Sequence, residues 1–293
     1  MENYSKSNKK RVRFFPVILL FFILMIALLL IDSSFRIVTT EYELYYDNFP
    51  ESFDGFRIVL LADIHDTEFG KDSSRLISLV RDANPDIIAL AGDLMNAADN
   101  GRSMELQLKT IETLVTGLTQ IAPVYFVNGN HDIVFKNNES GDLLLLLETQ
   151  GVRVINHKYV RLESGSDIIV LGGVDLTYGS AGKKKTRAFL DDMISSENDA
   201  FTIVIEHRNN NLALYSEYGI DLVLSGHAHG GIIRLPFTDG LLGQKREWFP
   251  EHTDGVYTMG NTNMLVSRGL SNRTAVPRFL NNPHIAVAIL RSA

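Results

Sequence analysis

Acidic, imidazole and amide side chains follow five short apolar runs in this sequence, each at the point where a buried strand would end. They are Asp63 and His65 after run 60–62, Asp93 after 88–91, Asn130 and His131 after 125–127, His207 after 204–205, and His227 and His229 after 223–224. Ligand sites of α/β sheets lie at the carboxyl ends of the strands, so we expect these side chains to converge.

This mixture of carboxylate, imidazole and amide groups, in a chain without cysteine, is typical of a site for Mn²⁺, Fe or Zn²⁺. It is too rich in nitrogen for a Ca²⁺ cage. Asp63 with His65, and His227 with His229, stand two residues apart, which places each pair on one side of an extended backbone. Because one ion needs about four ligands, the surplus predicts two divalent metal ions about 3.5–4 Å apart and bridged by a carboxylate. That arrangement favours phosphoryl or acyl hydrolysis.

Short apolar runs predict the strands that must position these residues. They lie at 58–62, 87–91, 124–127, 168–171, 202–205, 222–224, 264–266 and 285–290, and an alternating segment at 36–48 predicts a first strand. Continuous apolarity indicates strands that are covered on both faces. Helical stripes lie between several runs: Leu76, Ile77 and Val80; Met104, Leu108, Ile111, Val115 and Leu118; Phe189, Leu190, Met193 and Ile194. We therefore predict an α/β fold with layered sheets and outer helices.

The N-terminus has a different composition from the rest of the chain. Residues 1–13 are basic, and residues 14–31 contain no charge. The uncharged segment is long enough to cross a bilayer as a helix. A buried soluble helix is the less favoured interpretation, and a cleaved signal peptide would have a shorter apolar core and a small-x-small site. We predict a basic cytoplasmic tail (1–13), a transmembrane signal-anchor (14–31), a linker with the first strand (32–54) and a catalytic domain (55–293) outside the cytoplasm.

The overall composition excludes several classes of function. The chain has 35 Asp and Glu against 28 Lys and Arg, and the basic tail makes the remainder more acidic still. An acidic body is a poor non-specific binder of nucleic acid, because such binding depends on Lys and Arg. The absence of cysteine excludes disulfides, thiolate zinc sites and a cysteine nucleophile.

The ordered motifs resemble those of the calcineurin-like metallophosphoesterase family over residues 55–293, and residues 226–236, 267–270, Pro277 and Phe279 resemble its membrane-associated bacterial branch. The resemblance implies a four-layer αββα sandwich of two mixed β-sheets flanked by helices. It implies one metal ion held by Asp63, His65, Asp93 and His229, and a second held by Asp93, Asn130, His207 and His227. It also implies that a hydroxide bridging the ions attacks phosphorus, while His131 acts on the substrate as a catalytic residue.

The expected activity is hydrolysis of a phosphodiester, pyrophosphate or phosphomonoester bond. The anchor favours a lipid-linked or envelope substrate, such as a phospholipid head group, and we expect a monomer. The alternative is a catalytically inactive, membrane-anchored metal-binding scaffold. A metallo-β-lactamase-like hydrolase would require His-x-His-x-Asp-His, which the sequence lacks.

Other residues have weaker claims to a role. Arg268 is either a phosphate contact or part of a structural ion pair. The basic cluster 183–187 is expected to be a solvated face. The apolar segment 235–249 is expected to form a small satellite core, with a border to a lipid-facing groove as the other reading. His157, His252 and His284 are expected to take no part in the site.

Overall fold

A computed structural model describes residues 14–96, 102–133, 139–176, 179–197, 199–235, 238–243, 246–272 and 276–293. The predicted basic tail therefore lies outside the described residues. The helices are α1 (Phe14–Phe35), α2 (Ser74–Asp82), α3 (Met104–Thr119), α4 (Glu139–Thr149), α5 (Gly179–Ser196) and α6 (Leu212–Glu217).

Twelve strands form two six-stranded sheets in the described part of the chain. They are β1 (Val38–Tyr46), β2 (Phe56–Leu61), β3 (Ile87–Leu90), β4 (Val124–Phe126), β5 (Arg153–Val154), β6 (Lys158–Ser164), β7 (Asp167–Val174), β8 (Phe201–Glu206), β9 (Leu222–Ser225), β10 (Gly255–Met259), β11 (Thr262–Val266) and β12 (His284–Ser292). The first sheet has the order β1-β12-β2-β3-β4-β5 and the second β10-β11-β9-β8-β7-β6. Both sheets are mixed, since β12 runs antiparallel to β2 in the first, and β6 and β10 run antiparallel to their neighbours in the second.

Three apolar cores show that the fold has four layers. One core lies between the two sheets and joins residues such as Leu60 and Tyr125 to Ile203 and Leu224. A second packs α2, α3 and α4 on the outer face of the first sheet, and a third packs α5 and α6 on the second sheet. Helices thus flank two mixed sheets, which confirms the predicted α/β sandwich.

The strand directions decide where the polar residues meet. β2, β3, β4 and β5 are parallel in the first sheet, and β7, β8, β9 and β11 are parallel in the second. Each sheet therefore places the carboxyl ends of its central strands at one edge. The residues that follow β2, β3, β4, β8 and β9 are those predicted to form the site.

The N-terminal helix is four residues longer than the predicted anchor. α1 reaches Phe35, and Phe15–Phe35 is long and apolar enough to cross a membrane by length and composition. β1 follows α1 directly and pairs in parallel with β12. The first sheet therefore includes residues 38–46, which lie before the predicted start of the catalytic domain at residue 55.

Candidate metal centre

The structure brings all eight predicted site residues together at the carboxyl edges of the two sheets. Three overlapping sets of side chains each have ligand atoms within 4.8 Å of one another. The sets are Asp63, His65 and His229; Asp93, His207 and His227; and His65, Asp93 and His131. Asn130 joins the second set, because its Oδ1 lies 3.1 Å from Nε2 of His207.

We call Asp63, His65 and His229 the closed group, because every member is buried. Their side chains come from the loops after β2 and β9, and none is more than 4% exposed. Nε2 of His229 lies 3.3 Å from both Oδ1 of Asp63 and Nε2 of His65. The two imidazole rings are stacked, with centroids 5.2 Å apart.

We call Asp93, His207, His227 and Asn130 the open group, because two of its members reach the surface. Nε2 of His207 lies 3.3 Å from Oδ2 of Asp93 and 3.1 Å from Nδ1 of His227. Asp93 and His207 are buried, whereas His227 and Asn130 are half-buried. An ion at this group would therefore be accessible to a ligand from solvent.

Asp93 lies between the two groups. Its Oδ2 is 3.7 Å from Nε2 of His65, on the closed side, and 3.3 Å from Nε2 of His207, on the open side. The same oxygen lies 3.9 Å from Nε2 of His131, whose side chain is 28% exposed. One carboxylate is thus within reach of ligands from both groups.

The hydrogen bonds of His65 and His207 leave Nε2 of each ring available to a metal ion. Nδ1 of His207 lies 2.8 Å from the Ala91 carbonyl oxygen, and Nδ1 of His65 lies 3.0 Å from that of Met95. A carbonyl oxygen accepts a hydrogen bond from Nδ1–H, so Nε2 of each ring is the atom that faces the site and is available to a metal ion. Nε2 of His207 lies 3.1 Å from Nδ1 of His227, and Nε2 of His65 lies 3.3 Å from that of His229, so one ion could contact both rings of either pair. The donor set fits divalent metal ions.

The electrostatics of the groups agree with this fit. Burial lowers the pKa of both His65 and His227 to about 3, so these imidazoles are neutral. Burial opposes ionisation of Asp63 and Asp93, but His229 and His207 hold the pKa of the two carboxyls below its usual range. Burial also disfavours a proton on His207, yet Asp93 raises its pKa to about 10. The pocket therefore favours a positive charge between Asp93 and His207.

Backbone conformation aims the ligands inward. Five of them adopt positive φ angles, which is uncommon for residues other than glycine: Asp63 (52°), His65 (45°), Asp93 (54°), His227 (68°) and His229 (48°). The loops are also very close, because a Cβ on Gly92 would lie 2.5 Å from the amide nitrogen of Gly129. Such strained residues cluster at functional sites.

Asp132 supports the open group and has no role in the sequence prediction. Its carboxylate accepts hydrogen bonds from the backbone amides of Asp93 (2.7 Å), Met95 (3.0 Å) and Gly129 (2.8 Å). The amide of His131 in turn donates to Oδ1 of Asp93 at 2.7 Å. One buried carboxylate thus ties the loop after β3 to the loop after β4. Asp132 directly follows Asn130 and His131 in the sequence, but only the fold reveals these contacts.

The turn at residues 267–271 supports the closed group. Its Ser271 amide donates to the Asp63 carbonyl at 2.7 Å, and a Cβ on Gly269 would lie 2.7 Å from that of Asp63. The buried guanidinium of Arg278 donates to the carbonyls of Arg268 (2.8 Å) and Ser271 (2.7 Å). Arg278 has no role in the sequence prediction, although it lies between Pro277 and Phe279, in a segment that resembles the membrane-associated bacterial branch.

The less certain sequence predictions have mixed outcomes. Arg268 forms an ion pair with Asp254 at 2.9 Å, which favours the structural interpretation of this residue. The satellite core expected at 235–249 is wrong for two of its aromatic side chains, since Trp248 is 67% and Phe249 is 66% exposed. Phe237 lies outside the described residues.

Comparison with known proteins decides the family. The calcineurin-like phosphoesterase family matches residues 56–231. The chain belongs to this family. Membership implies a hydrolase that acts on phosphoesters with divalent metals, and the two ligand groups lie in or beside the matched segment.

Several relatives are similar over most of this chain. The uncharacterized metallophosphoesterase YkuE of Bacillus subtilis is 28% identical over 87% of this chain and 86% of its own length. Phosphodiesterase YaeI of Escherichia coli is 24% identical over 76% and 78%, respectively. A transmembrane protein with a metallophosphoesterase domain from Danio rerio is 28% identical over 65% of this chain and 44% of its own length.

The comparison with solved structures gives matches at low identity. TT1561 of Thermus thermophilus is 14% identical, covers 74% of this chain and 91% of its own, and gives a TM-score of 0.47.

Proposed function

We propose that this chain is a membrane-anchored phosphoesterase with two divalent metal ions, drawn from Mn, Fe and Zn. Asp63, His65 and His229 would hold one ion, and Asn130, His207 and His227 the other, with Asp93 shared between them. The bonds cleaved are phosphodiester, pyrophosphate or phosphomonoester bonds.

The observation that carries this proposal is the position of Asp93. Its Oδ2 lies 3.7 Å from His65 and 3.3 Å from His207, so one oxygen is placed to contact an ion on either side. Divalent ions would neutralise the phosphoryl oxygens and lower the pKa of the attacking water. The protein supplies the geometry, because tautomers fixed by the Ala91 and Met95 carbonyls hold the two histidines in place.

His131 is placed to act on the substrate. Its own backbone amide holds it beside Asp93, and its half-buried ring packs edge-on against His65 of the closed group with centroids 4.6 Å apart. A half-buried imidazole in this position can stabilise charge on a phosphoryl oxygen or protonate the leaving oxygen.

The substrate and location are inferred from α1. This helix supports anchoring in the cell membrane, with the basic tail in the cytoplasm and the catalytic domain outside. An anchored enzyme meets lipid-linked or envelope phosphoesters at high local concentration, which supports that substrate class. The name of the Escherichia coli relative, a phosphodiesterase, supports a diester bond.

The direct test is hydrolysis of bis-p-nitrophenyl phosphate by the full chain, purified in detergent and loaded with Mn²⁺. We expect turnover that Asp93→Ala abolishes, because this change removes a ligand shared by both groups. Asp192→Ala, at an exposed position on α5, is the matched control and should leave activity unchanged.

Two results would contradict the proposal. Full activity in Asp93→Ala would exclude the shared carboxylate. Tight binding of Mn²⁺ without turnover of any phosphoester in a panel of diesters, monoesters and pyrophosphates would instead identify an inactive metal-binding scaffold.

A further inference from the structure

The end of α1 is fastened to the catalytic domain by specific hydrogen bonds. The side-chain amide of Asn282 donates to the carbonyl oxygen of Asp32 at 2.8 Å, and that of Asn272 donates to the carbonyl of Ser34 at 3.1 Å. Arg75 donates to the carbonyl of Phe35 at 3.2 Å. These carbonyls belong to the last turn of the helix, where backbone acceptors have no partner within the helix. The domain is therefore oriented by the helix and does not hang from a free linker.

Strand register places this attachment beside the metal centre. Val38, the first residue of β1, pairs with His284, the first residue of β12. Ala286 pairs with Leu60 in the antiparallel ladder, which sets His284 level with Ala62. Val38 is thus two strands from the residue that precedes Asp63, or about 10 Å.

Adjacent asparagines connect the two features directly. Asn282 contacts α1 at Asp32, while the side-chain amide of Asn281 donates to the carbonyl of His229 at 2.8 Å. The anchor and a member of the closed group therefore share one loop. A bilayer that contains α1 must pass close to the edge where the ligands converge.

Four exposed apolar side chains project from loops at the same edge: Leu235 (41% exposed), Trp248 (67%), Phe249 (66%) and Leu280 (37%). We call them the apolar loop surface. Backbone hydrogen bonds join their segments, since Arg234 donates to Phe279, Leu241 to Ile233 and Phe249 to Leu241. Phe249 also lines the cavity that His227 lines, so the surface borders the open group.

We propose that the apolar loop surface is a second membrane contact, which lies in the head-group region of the bilayer that holds α1. The metal centre would then face phosphoesters at the depth of the lipid head groups. Exposed aromatic side chains are costly in water, and Trp in particular favours the membrane interface. This inference rests on the membrane position given to α1 in the proposed function, and it goes further by naming the surface that meets the lipid.

The charges around the surface indicate what holds it there. Arg246 and Glu247, both exposed, directly precede Trp248 and carry opposite charges. Lys245 before them in the sequence and the exposed Glu251 after Trp248 are again opposite in charge. Attraction to anionic lipid would therefore be weak, and the contact should depend on apolar burial. We expect it to form equally in phosphatidylcholine and in mixed phosphatidylcholine and phosphatidylglycerol vesicles.

Trp248 is the only tryptophan of the chain, so its fluorescence reports this contact without a label. The full chain is reconstituted into phosphatidylcholine vesicles with and without brominated phosphatidylcholine. We expect bromolipid to quench most of the Trp248 emission, and acrylamide in the water phase to quench little of it. Emission that bromolipid leaves unchanged and acrylamide quenches would overturn the proposal, as would quenching only in vesicles with phosphatidylglycerol.

A double variant provides the matched control. Trp248→Phe with Tyr45→Trp moves the probe to a side chain of similar exposure (59%) near the far end of β1, roughly 25 Å from the anchor. Its emission should be insensitive to bromolipid. Asn282→Ala should reduce quenching of Trp248, because it loosens the attachment to α1.

The same vesicles separate this inference from the proposed function. Hydrolysis of bis-p-nitrophenyl phosphate tests the metal centre, and quenching tests the membrane contact. Activity without quenching would reject the contact alone. Quenching without activity would reject the enzyme and keep the contact. A chain that fails to float with the vesicles would reject both the anchor and the contact.

Discussion

The closed and open groups of the metal centre use the same kinds of ligand but differ in exposure. Asp63, His65 and His229 are shut off from solvent, whereas the open group reaches it through His227 and Asn130. A fully enclosed ion retains its ligands, while an accessible one can accept a substrate oxygen. The difference indicates that substrate approaches from the open side.

The two groups also depend on different parts of the chain. Asp132, which lies within the family match, braces the open group. The closed group is braced by the turn at 267–271 and by Arg278 and Asn281, all beyond residue 231 where the match ends. The closed group is thus supported from beyond the family match, in addition to Met95 within it, whose carbonyl oxygen faces Nδ1 of His65.

The largest effect among tests of this comparison should come from His131. If it acts on substrate at the open side, His131→Ala lowers kcat on bis-p-nitrophenyl phosphate by about 10²–10⁴-fold. Mn²⁺ content, measured by elemental analysis, should stay the same. Loss of one metal equivalent would instead make His131 a ligand, as its grouping with His65 and Asp93 allows.

Asp132→Ala should act on stability and on the open group together. Removing the carboxylate leaves three backbone amides without their acceptor, at a cost of about 3 kcal/mol or more in the free energy of unfolding. Urea unfolding of the metal-free protein measures this. Arg187→Ala, which breaks an exposed ion pair with Glu217, is the reference and should cost less than about 1 kcal/mol. Equal losses in the two variants would refute the bracing role of Asp132.

Arg278→Met should produce the smallest change and confine it to the closed group. The turn at 267–271 would lose the donor to its carbonyls, and we expect one of two Mn²⁺ equivalents to bind roughly 10–100-fold more weakly. Calorimetric titration with Mn²⁺ resolves the two equivalents. Arg161→Ala, which removes an exposed guanidinium on β6 from its pair with the buried Glu197, controls for general loss of charge. Equal weakening of both equivalents would mean that the groups are not independent.

The residue pattern predicts an α/β fold with layered sheets and the side chains that converge, because strand ends and metal-ligand types are local features; the four-layer arrangement was implied by the family resemblance. All eight site residues lie within the centre that the structure forms. The edge strands β5, β6 and β10 and the helices α4 and α6 are absent from the sequence prediction.

The supporting residues could not be predicted, for a physical reason. Asp132 accepts hydrogen bonds from the amides of Asp93 and Met95, which lie 39 and 37 residues away in sequence, and Arg278 donates to carbonyls of a turn without regular structure. Neither contact leaves a pattern in residue type or spacing. Likewise, the exposure of Trp248 depends on how irregular loops pack, and hydropathy cannot foresee it.

The position of β12 has a consequence for how the protein is made. This strand lies between β1 and β2, yet it is translated after every other strand of the sheet. During synthesis β1 and β2 therefore stand apart with unpaired edges, and the space between them stays open until β12 is made. Closure depends on contacts between distant parts of the chain, which form slowly. Unpaired strand edges can pair with the wrong strand or with another chain. We therefore expect folding of this protein to depend on chaperones that cover the edges of β1 and β2 until β12 is made.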